Sequence, residues 1–381
     1  MNPLKSTRIE FHILQSFPVS CLNRDDVGSP KTAIVGGVPR ARVSSQCWKR
    51  SVRLAMQEQG TKIASRTKLI ESKVEAACKK NGATDAQAKT CAEAVSAVFI
   101  KSKTDKKNNS SKEEESAESV DVSNGKSDTL LFISDTEIGI IADALKDNNF
   151  STEFNSSSEA KSSKGKKNIE AKLQELLGKP NLAIDGLDIA LFGRMVAQAT
   201  TLNIEAAASF SHAISTHKVT NEIEFFTALD DCATEQGSAH MGSLEFNSAT
   251  YYRYVCLDLG QLWDNLAGHA VKESIEAFIK ALFVAVPSAR QSTMSGASPW
   301  EFARIYMRKG QRLQVPFDAP VKSNGGFFTP SKIALTEYLD LKEKLFGSLF
   351  GKIKSFDFGD KATMSIDDLI NDISKSLEKV K

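Results

Sequence analysis

Residues 8–53 read RIEFHILQSFPVSCLNRDDVGSPKTAIVGGVPRARVSSQCWKRSVR. Three kinds of text follow one another in this stretch. From Arg8 to Leu14 apolar and polar residues alternate, with Ile9, Phe11 and Ile13 facing one way and Arg8, Glu10 and His12 the other. That period of two predicts a half-buried strand. From Asn23 to Arg42 the chain is basic and punctuated by Pro30, Gly36, Gly37 and Pro39, which predicts a loop or irregular hairpin. Ser44 and Ser45, natural N-caps, then precede Trp48, Val52, Ala55, Met56 and Gln59 at helical spacing.

Moving outward, the text changes at residue 61. Residues 61–100 read as helices rich in Ala and Lys, and residues 101–128 offer almost nothing to bury and are expected to be disordered. Ser134 and Glu137 form a capping box before the stripe Ile138, Ile141, Ala142 and Leu145. A Ser/Lys-rich linker at 151–168 leads to a helix carrying Ile169, Leu173, Leu176 and Leu177, ended by Gly178 and Pro180. Residues 61–182 therefore read as a helical insertion. Beyond it, the apolar run Asp188–Phe192, closed by Gly193, predicts a strand. Residues 203–247 are polar, with Phe210, Phe225 and Phe226 interspersed. Tyr251–Leu259 alternates again as a strand. Val271, Ile275, Phe278, Ile279, Leu282 and Val286 make an amphipathic helix, Gln311–Phe317 predicts a last strand, and Ser365 with Asp368 opens a C-terminal helix. The order strand, helix, insertion, strand, protrusion, strand, helix, strand predicts an α+β sheet with large insertions. No internal repeat of short period is present.

The whole chain has 381 residues, 41% hydrophobic and 25% charged, which excludes wholesale disorder. Its net charge of +2 excludes a polycation but hides two opposed patches. Residues 1–60 hold nine Lys/Arg against four acids, whereas residues 216–246 hold Lys218 against six acids. None of the six cysteines has CxxC spacing, which points to buried thiols in a reducing compartment rather than a zinc ribbon. Glu10 and His12 break any leader-like run, and Ala277–Val286 is too short to span a bilayer and contains Lys280. A soluble, cytoplasmic protein without a membrane partner is expected.

Several catalytic readings fall away on the text. Gly125-Lys126-Ser127 resembles a P-loop end, but Val120 stands where the first glycine belongs. HExxH, GxSxG and EF-hand patterns are absent. His212 and His217 are five residues apart, which separates them on a strand or a helix; with His240 they read as loop or hydrogen-bonding histidines, and no metal or other cofactor is expected. Asp25-Asp26 reads either as a metal or acid/base pair or as salt-bridge partners or turn formers.

The positive signal is anion binding. The cations of 20–53 are spaced along a glycine-rich loop, where backbone N–H groups can approach a phosphate. Lys49, Arg50 and Arg53 occupy the first turns of a helix, where they oppose the macrodipole at about 0.3–1 kcal/mol each; a bound polyanion reverses that penalty. Ser44, Ser45 and Gln46 add neutral donors at the same end. A basic face without a ligand is the alternative; a nucleic-acid backbone fits better. Gly193-Arg194-Met195 reads either as a phosphate fork beside an adaptable apolar surface or as a core turn. The acidic, Phe225/Phe226-bearing stretch fits docking on the basic face of a second copy, a head-to-tail contact that can propagate.

SCLNRDD, K-x-A-x-x-GG, R-x-R-x-SSQ-x-x-KR, DIALFGRM, HAISTH, EQGSAHMGSLEF and YYRY occur in that order over 7–59 and about 182–292. This constellation resembles the repeated backbone subunit of the CRISPR type I-E Cascade surveillance complex, the CasC family of the RAMP superfamily. The resemblance implies a right-hand-like architecture. The palm is RRM-like (ferredoxin-like), built from 1–60, 182–202 and 248–381, the last with C-terminal helices. Helical fingers occupy 61–181, with linkers at 101–128 and 151–168, and an extended thumb occupies 203–247. It also implies a non-catalytic subunit that polymerises head to tail along a crRNA guide and presents it to target DNA. Partners would be further copies and the large, small, guide-end-binding and guide-processing Cascade subunits. Carried over by motif, Arg24, Lys31, Arg40, Arg42, Ser44, Gln46, Lys49, Arg50 and Arg53 would grip RNA phosphates or sugars. Arg194 and Met195 would lie at the RNA kink. His217, Phe225, Phe226, His240 and Met241 would belong to the thumb wedge and inter-subunit surface. Val38 and Pro39 stand where the family is often basic, Trp48 is larger than usual, and the RRM aromatic signature is not present as text. Relatives in other CRISPR types cleave RNA, so a metal-dependent RNA-cleaving backbone subunit using Asp25 or Asp26 is the alternative.

Overall fold

The computed structural model describes residues 2–99, 130–154, 165–177, 186–196, 199–229, 238–359 and 364–378. In chain order the first elements are β1 (Arg8–Ser20), β2 (Thr32–Val35), β3 (Val38–Val43), α1 (Ser45–Glu58) and β4 (Ser65–Thr67). Then come α2 (Ile70–Lys80), α3 (Asp85–Phe99), β5 (Leu131–Ile133), α4 (Asp135–Asp147), α5 (Gly165–Leu177) and α6 (Leu187–Phe192). They are followed by β6 (Ala208–Phe210), β7 (Ala213–Ser215), β8 (Glu222–Leu229), β9 (Ser238–Asp258) and α7 (Leu259–Asn265). The last are α8 (Val271–Val284), α9 (Gln291–Met294), β10 (Phe302–Arg308), α10 (Phe328–Phe346), β11 (Lys352–Phe358) and α11 (Ile366–Glu378).

These elements fall into two compact units. One comprises residues 1–60, 208–261 and 271–381; the other comprises 61–207 and 262–270. Residues 187–202, expected beside the sheet, group with the insertion, and so does the 262–270 turn.

The first unit is built on an antiparallel sheet in the order β11-β10-β1-β9-β7-β3-β2, with β6 and β8 also paired to β9. β1 lies between β9 and β10, so that Phe11 faces Val255 on one side and Ile305 on the other. Pro18 interrupts the β1–β9 ladder, which shifts register between Phe17 and Ser20, as a residue without an N–H requires. One sheet face carries Ile9, Phe11 and Ile13, all buried. Phe11 meets Phe278 of α8 edge-on at 6.5 Å, and α8 packs in turn on α1 and α11.

The expectation that β1 is half-buried is corrected here, because its other face is buried too. Glu10, His12 and Leu14 lie under Leu313, Val315, Phe317 and α10, whose Leu335 and Leu339 complete a second core. The polar residues on that face are paired rather than solvated. Tyr254 Oη donates to Glu10 Oε1 at 2.8 Å, and Arg308 Nε lies 3.4 Å from Glu10 Oε2. Tyr252 Oη lies 2.9 Å from His12 Nδ1.

Residues 311–317, expected as a strand, form no ladder. They run as a strap, with Leu313, Val315 and Phe317 buried. Two of their amides are satisfied by side chains of the sheet: Leu313 N donates to Glu10 Oε1 and Val315 N to Tyr252 Oη. The alternation was real, but its partner is a sheet face instead of a sheet edge. The positions beyond β1 are filled by β10 and, at the edge, β11, which the sequence reading did not find, and α10 was likewise missed.

The second unit is helical. α2, α3, α4 and α5 enclose a core that includes Val74, Cys78, Cys91, Val95, Ile141, Leu145, Ile169 and Leu173. The capping box forms as expected: Glu137 N donates to Ser134 Oγ at 3.0 Å and Ser134 N to Glu137 Oε2 at 2.9 Å. Asp188–Phe192 is a helical turn and not a strand. Gly186 and Gly193, both at positive φ, bound it, and the Asp188 carboxylate accepts from Ala64 N at 2.8 Å. A five-residue apolar run fits either state by pattern alone. The 101–128 linker and Gly125-Lys126-Ser127 lie outside the described residues, as does 155–164 of the second linker; α5 already begins at Gly165. The five described cysteines are free thiols.

Candidate nucleic-acid interface

The basic segment is more regular than its Gly/Pro content suggested. β2 and β3 pair as a hairpin in which Val35 faces Val38, leaving Gly36 and Gly37 as a two-residue turn. Their φ values of +59° and +75° are those of a type I′ turn, which favours glycine. The hairpin joins the sheet through β3 and β7, where Arg42 pairs with Ile214 and Val43 with Ala213.

Asn23 links the preceding loop to α1. Its carbonyl accepts from Lys31 N at 2.8 Å, and its side chain accepts from Ser44 N at 2.9 Å. Ser44 then caps the helix, accepting from Cys47 N at 3.3 Å. Trp48, Val52, Ala55 and Met56 turn inward, leaving Gln46 and Arg50 exposed and Lys49 and Arg53 half-buried. Trp48 lies under Arg253, whose guanidinium sits 3.5 Å from the ring centroid and donates to Gln15 Oε1 at 2.6 Å. Full burial lowers the Arg253 pKa to about 9. Lys49 Nζ lies 5.9 Å from the Phe210 ring, and burial lowers its pKa.

The expected cations therefore divide. Arg24 and Arg50 are exposed, and Lys31, Arg42, Lys49 and Arg53 are half-buried, all within the hairpin, its approach loop and the start of α1. Arg40 is fully buried. Its Nη1 donates to Ser215 O at 2.8 Å, and its Nη2 donates to Phe317 O at 3.0 Å and Asp318 O at 3.2 Å. The expectation of an RNA-facing Arg40 does not fit a side chain already spent on carbonyls. Asp25 is a turn former: its carboxylate accepts from Val27 N at 3.1 Å and Ser29 N at 2.9 Å.

In the other unit, Gly193 needs its lack of a side chain. A Cβ there would lie 2.8 Å from Ile204 O and 3.1 Å from Ala206 N. The close approach is to backbone, not to a ligand. Arg194 points into the core, with Nη1 2.6 Å from Glu137 Oε1 and both side chains 1% exposed. Of the two readings of Gly193-Arg194-Met195, the core turn holds for Gly193 and Arg194. Met195 alone faces outward, at 79% exposure.

Within the stretch expected as a protrusion, β6 and β7 are strands of the sheet, and β8 with the first half of β9 forms a two-stranded ribbon. Alternation puts Ile223 and Phe225 of β8 on the same ribbon face as Met241, which lies opposite Thr227; all three are exposed. Phe226 lies opposite Gly242, and its ring covers that glycine: a Cβ on Gly242 would sit 2.7 Å from Phe226 Cζ. Of the adjacent phenylalanines, Phe225 is thus presented, at 65% exposure, and Phe226 is folded onto the ribbon. His240 falls in β9 opposite Ala228. Glu222, Glu224 and Glu245 keep the described ribbon acidic; Asp230, Asp231 and Glu235 lie outside the described residues.

His217 is not on the ribbon. It is buried and stacked on Phe327 at 3.7 Å. Its Nδ1 donates to Lys218 O at 2.9 Å and its Nε2 accepts from Thr250 N at 3.2 Å. That arrangement holds the neutral ring, and burial lowers its pKa accordingly. Among the described residues, no helix is long and apolar enough to cross a membrane.

A family profile described as CT1975-like protein matches residues 9–379. No curated protein matches the sequence. Among solved structures, the fold is similar to a chain of a "CRISPR RNA-guided surveillance complex, pre-nicking", with a TM-score of 0.74 and 25% identity over 97% of this chain and 100% of that one. It is also similar to a chain of a "CRISPR RNA-guided surveillance complex", with a TM-score of 0.67 and 22% identity over 97% of this chain and 99% of that one.

Proposed function

The chain belongs to the CT1975-like protein family, and from that premise we propose that it is a backbone subunit of a crRNA-guided surveillance complex. The observation that carries this reading is the likeness to a chain of an RNA-guided complex over 97% of this chain and 100% of that one. At finer grain, the proposal is the type I-E Cascade backbone subunit, cytoplasmic and repeated head to tail along one guide. The sheet unit serves as an RRM-like palm, the helical unit as fingers, and the β8–β9 ribbon as the thumb.

Arg24, Lys31, Arg42, Lys49, Arg50 and Arg53, with Ser44 and Gln46 at the start of α1, would hold guide phosphates and sugars. Such contacts carry no sequence information, so any guide can be held, and sequence is left to base pairing with target DNA. The exposed Ile223, Phe225 and Met241 would wedge beside the guide–target duplex, with the acidic flanks kept off phosphate. No chemistry is asked of the protein. The RNA-cleaving alternative gains nothing from Asp25, whose carboxylate holds a turn.

The test is co-purification from cells bearing a matching CRISPR array, followed by nucleic-acid extraction. A discrete short RNA with repeat-derived ends is expected, and it should be lost when Lys49, Arg50 and Arg53 are changed to Glu. Protein that elutes without RNA, or with random fragments, would overturn the reading.

A further inference from the structure

We infer that Arg40 is a positioning residue of the RNA track. It fixes the β2–β3 hairpin, and with it Lys31 and Arg42, onto β7 and the 311–318 strap, and it does not itself reach RNA. The inference rests on the RNA-binding reading above but is decided by geometry that reading does not use.

β2 is the edge of the sheet, bonded only to β3. The ladder from β3 to β7 covers only Arg42 and Val43. Beyond that ladder, Ala41 N donates to Ser215 Oγ at 3.1 Å and Pro39 O accepts from Val219 N at 3.0 Å; Arg40 adds the side-chain anchor that also reaches the strap. One guanidinium bonds the carbonyls of Ser215, Phe317 and Asp318, tying two segments that are far apart in sequence to the hairpin at once. A planar fork with donors in fixed directions suits several carbonyls; a single ammonium on a flexible stem does not.

Two further observations show that the junction is closely fitted. A Cβ on Gly36 would overlap the Asp318 carbonyl oxygen, so the turn lies directly on the strap. Phe317 has φ +46°, a conformation that a bulky side chain seldom adopts and that persists only where neighbours hold it. Its carbonyl is one of those held by Arg40. A fully buried Arg40 would have to give up all these bonds to touch a phosphate.

The experiment compares the full chain, Arg40→Lys and Gly36→Ala. Arg40→Lys keeps the charge. Gly36→Ala attacks the same contact from an exposed residue, so it disturbs the junction without altering the buried cation. Hydrogen exchange over residues 31–43 reads the hairpin without RNA, and titration of a fluorescent single-stranded RNA against salt reads the phosphate contacts. Both variants should lose protection over 31–43 while α8 keeps its own. Both should bind RNA at least tenfold more weakly. Their log–log salt slopes should be shallower by about 0.7 for each of Lys31 and Arg42 displaced, and Lys31→Gln should weaken binding less in either variant than in the parent chain.

If Arg40 were a phosphate ligand, Lys would replace it with the slope unchanged and the hairpin still protected, and that result overturns the inference. A general loss of stability, with slope and Lys31 effect unmoved, overturns it too. A flat slope in the parent chain sinks the RNA-binding reading instead, and hydrogen exchange then still decides whether Arg40 holds the hairpin.

Discussion

Replacing Arg194 by methionine should weaken the helical unit severely, although the family resemblance places this residue at the RNA kink. Its Nη1 lies 2.6 Å from Glu137 Oε1, and both side chains are 1% exposed. Its remaining bonds go to Leu202 O at 3.2 Å and Phe132 O at 3.4 Å. Removing the cation leaves the Glu137 carboxylate in the core with little beyond the Ser134 N–H, which donates to it at 2.9 Å. Breaking one side of such a pair costs about 3–5 kcal/mol, mostly the penalty of an uncompensated buried charge. Glu137→Gln in the Arg194→Met background removes that charge, and the glutamine oxygen can still complete the capping box. The double variant should therefore recover roughly 2 kcal/mol of the loss, within the coupling expected for residues in contact. Hydrogen exchange of Ile138, Ile141 and Leu145 reads the opening of α4 directly. For Arg194→Met, protection should fall by roughly two to nearly four decades, at about 1.4 kcal/mol per decade. Loss of less than one decade, or a double variant no better than the single, would show that the charge is solvated and that the burial argument is wrong.

Two other outcomes follow from the same kind of reasoning. His12 is fully buried, and desolvation, with Arg308 and Arg304 nearby, lowers its pKa to about 3. An unfolded histidine takes up a proton near pH 6.5, so the unfolded state binds more protons between those values and stability falls as pH drops through that window. Glu10, whose pKa burial raises, acts in the opposite sense, so the difference between the parent chain and His12→Gln isolates the histidine. Denaturant titrations should show the parent losing about 3 kcal/mol more than the variant from pH 6.5 to pH 4, and parallel profiles would show that His12 can be protonated in place. Phe225→Ser, at a side chain 65% exposed, should change unfolding by under about 0.5 kcal/mol while impairing assembly of the RNA-bound oligomer. An equal effect on both, measured by denaturation and by sedimentation, would mean that the residue supports the fold rather than an interface.

Much of the fold was legible because local signals and packing agree. Ser44 and the stripe Trp48, Val52, Ala55 and Met56 fix the start and inner face of α1, and the Ser134/Glu137 box opens α4. Legibility failed where burial was supplied by distant chain. The polar half of β1 reads as solvent-facing because Arg8, Glu10 and His12 are hydrophilic. Arg308, Tyr254 and Tyr252, which pair with Glu10 and His12, lie at least 240 positions further along. The strap 311–317 reads as a strand because Leu313, Val315 and Phe317 alternate, and alternation reports a pleated fit to a surface without naming the hydrogen-bond partner. Here the partners are a carboxylate and a phenol.

The site divides along the same line. Composition marks the hairpin and the start of α1 as basic, and six of the expected cations there are at least partly accessible. Arg40, Arg194 and His217 read as site residues in the text and yet face inward. Arg40 bonds three carbonyls, Arg194 pairs with the Glu137 carboxylate, and the His217 ring sits between Lys218 O and Thr250 N. A guanidinium serves buried oxygens as readily as a phosphate. Nothing within a few residues of Arg40 reveals that Ser215, Phe317 and Asp318 will arrive beside it. The text does hold one clue. Gly36-Gly37 and Pro39 leave the hairpin with few side chains of its own to pack. A basic hairpin so lightly built has to be held by something, and its most buried cation is the group within reach of both β7 and the strap. Charge in this segment therefore serves two ends: some cations can meet an anion, and one fixes the frame on which they are carried.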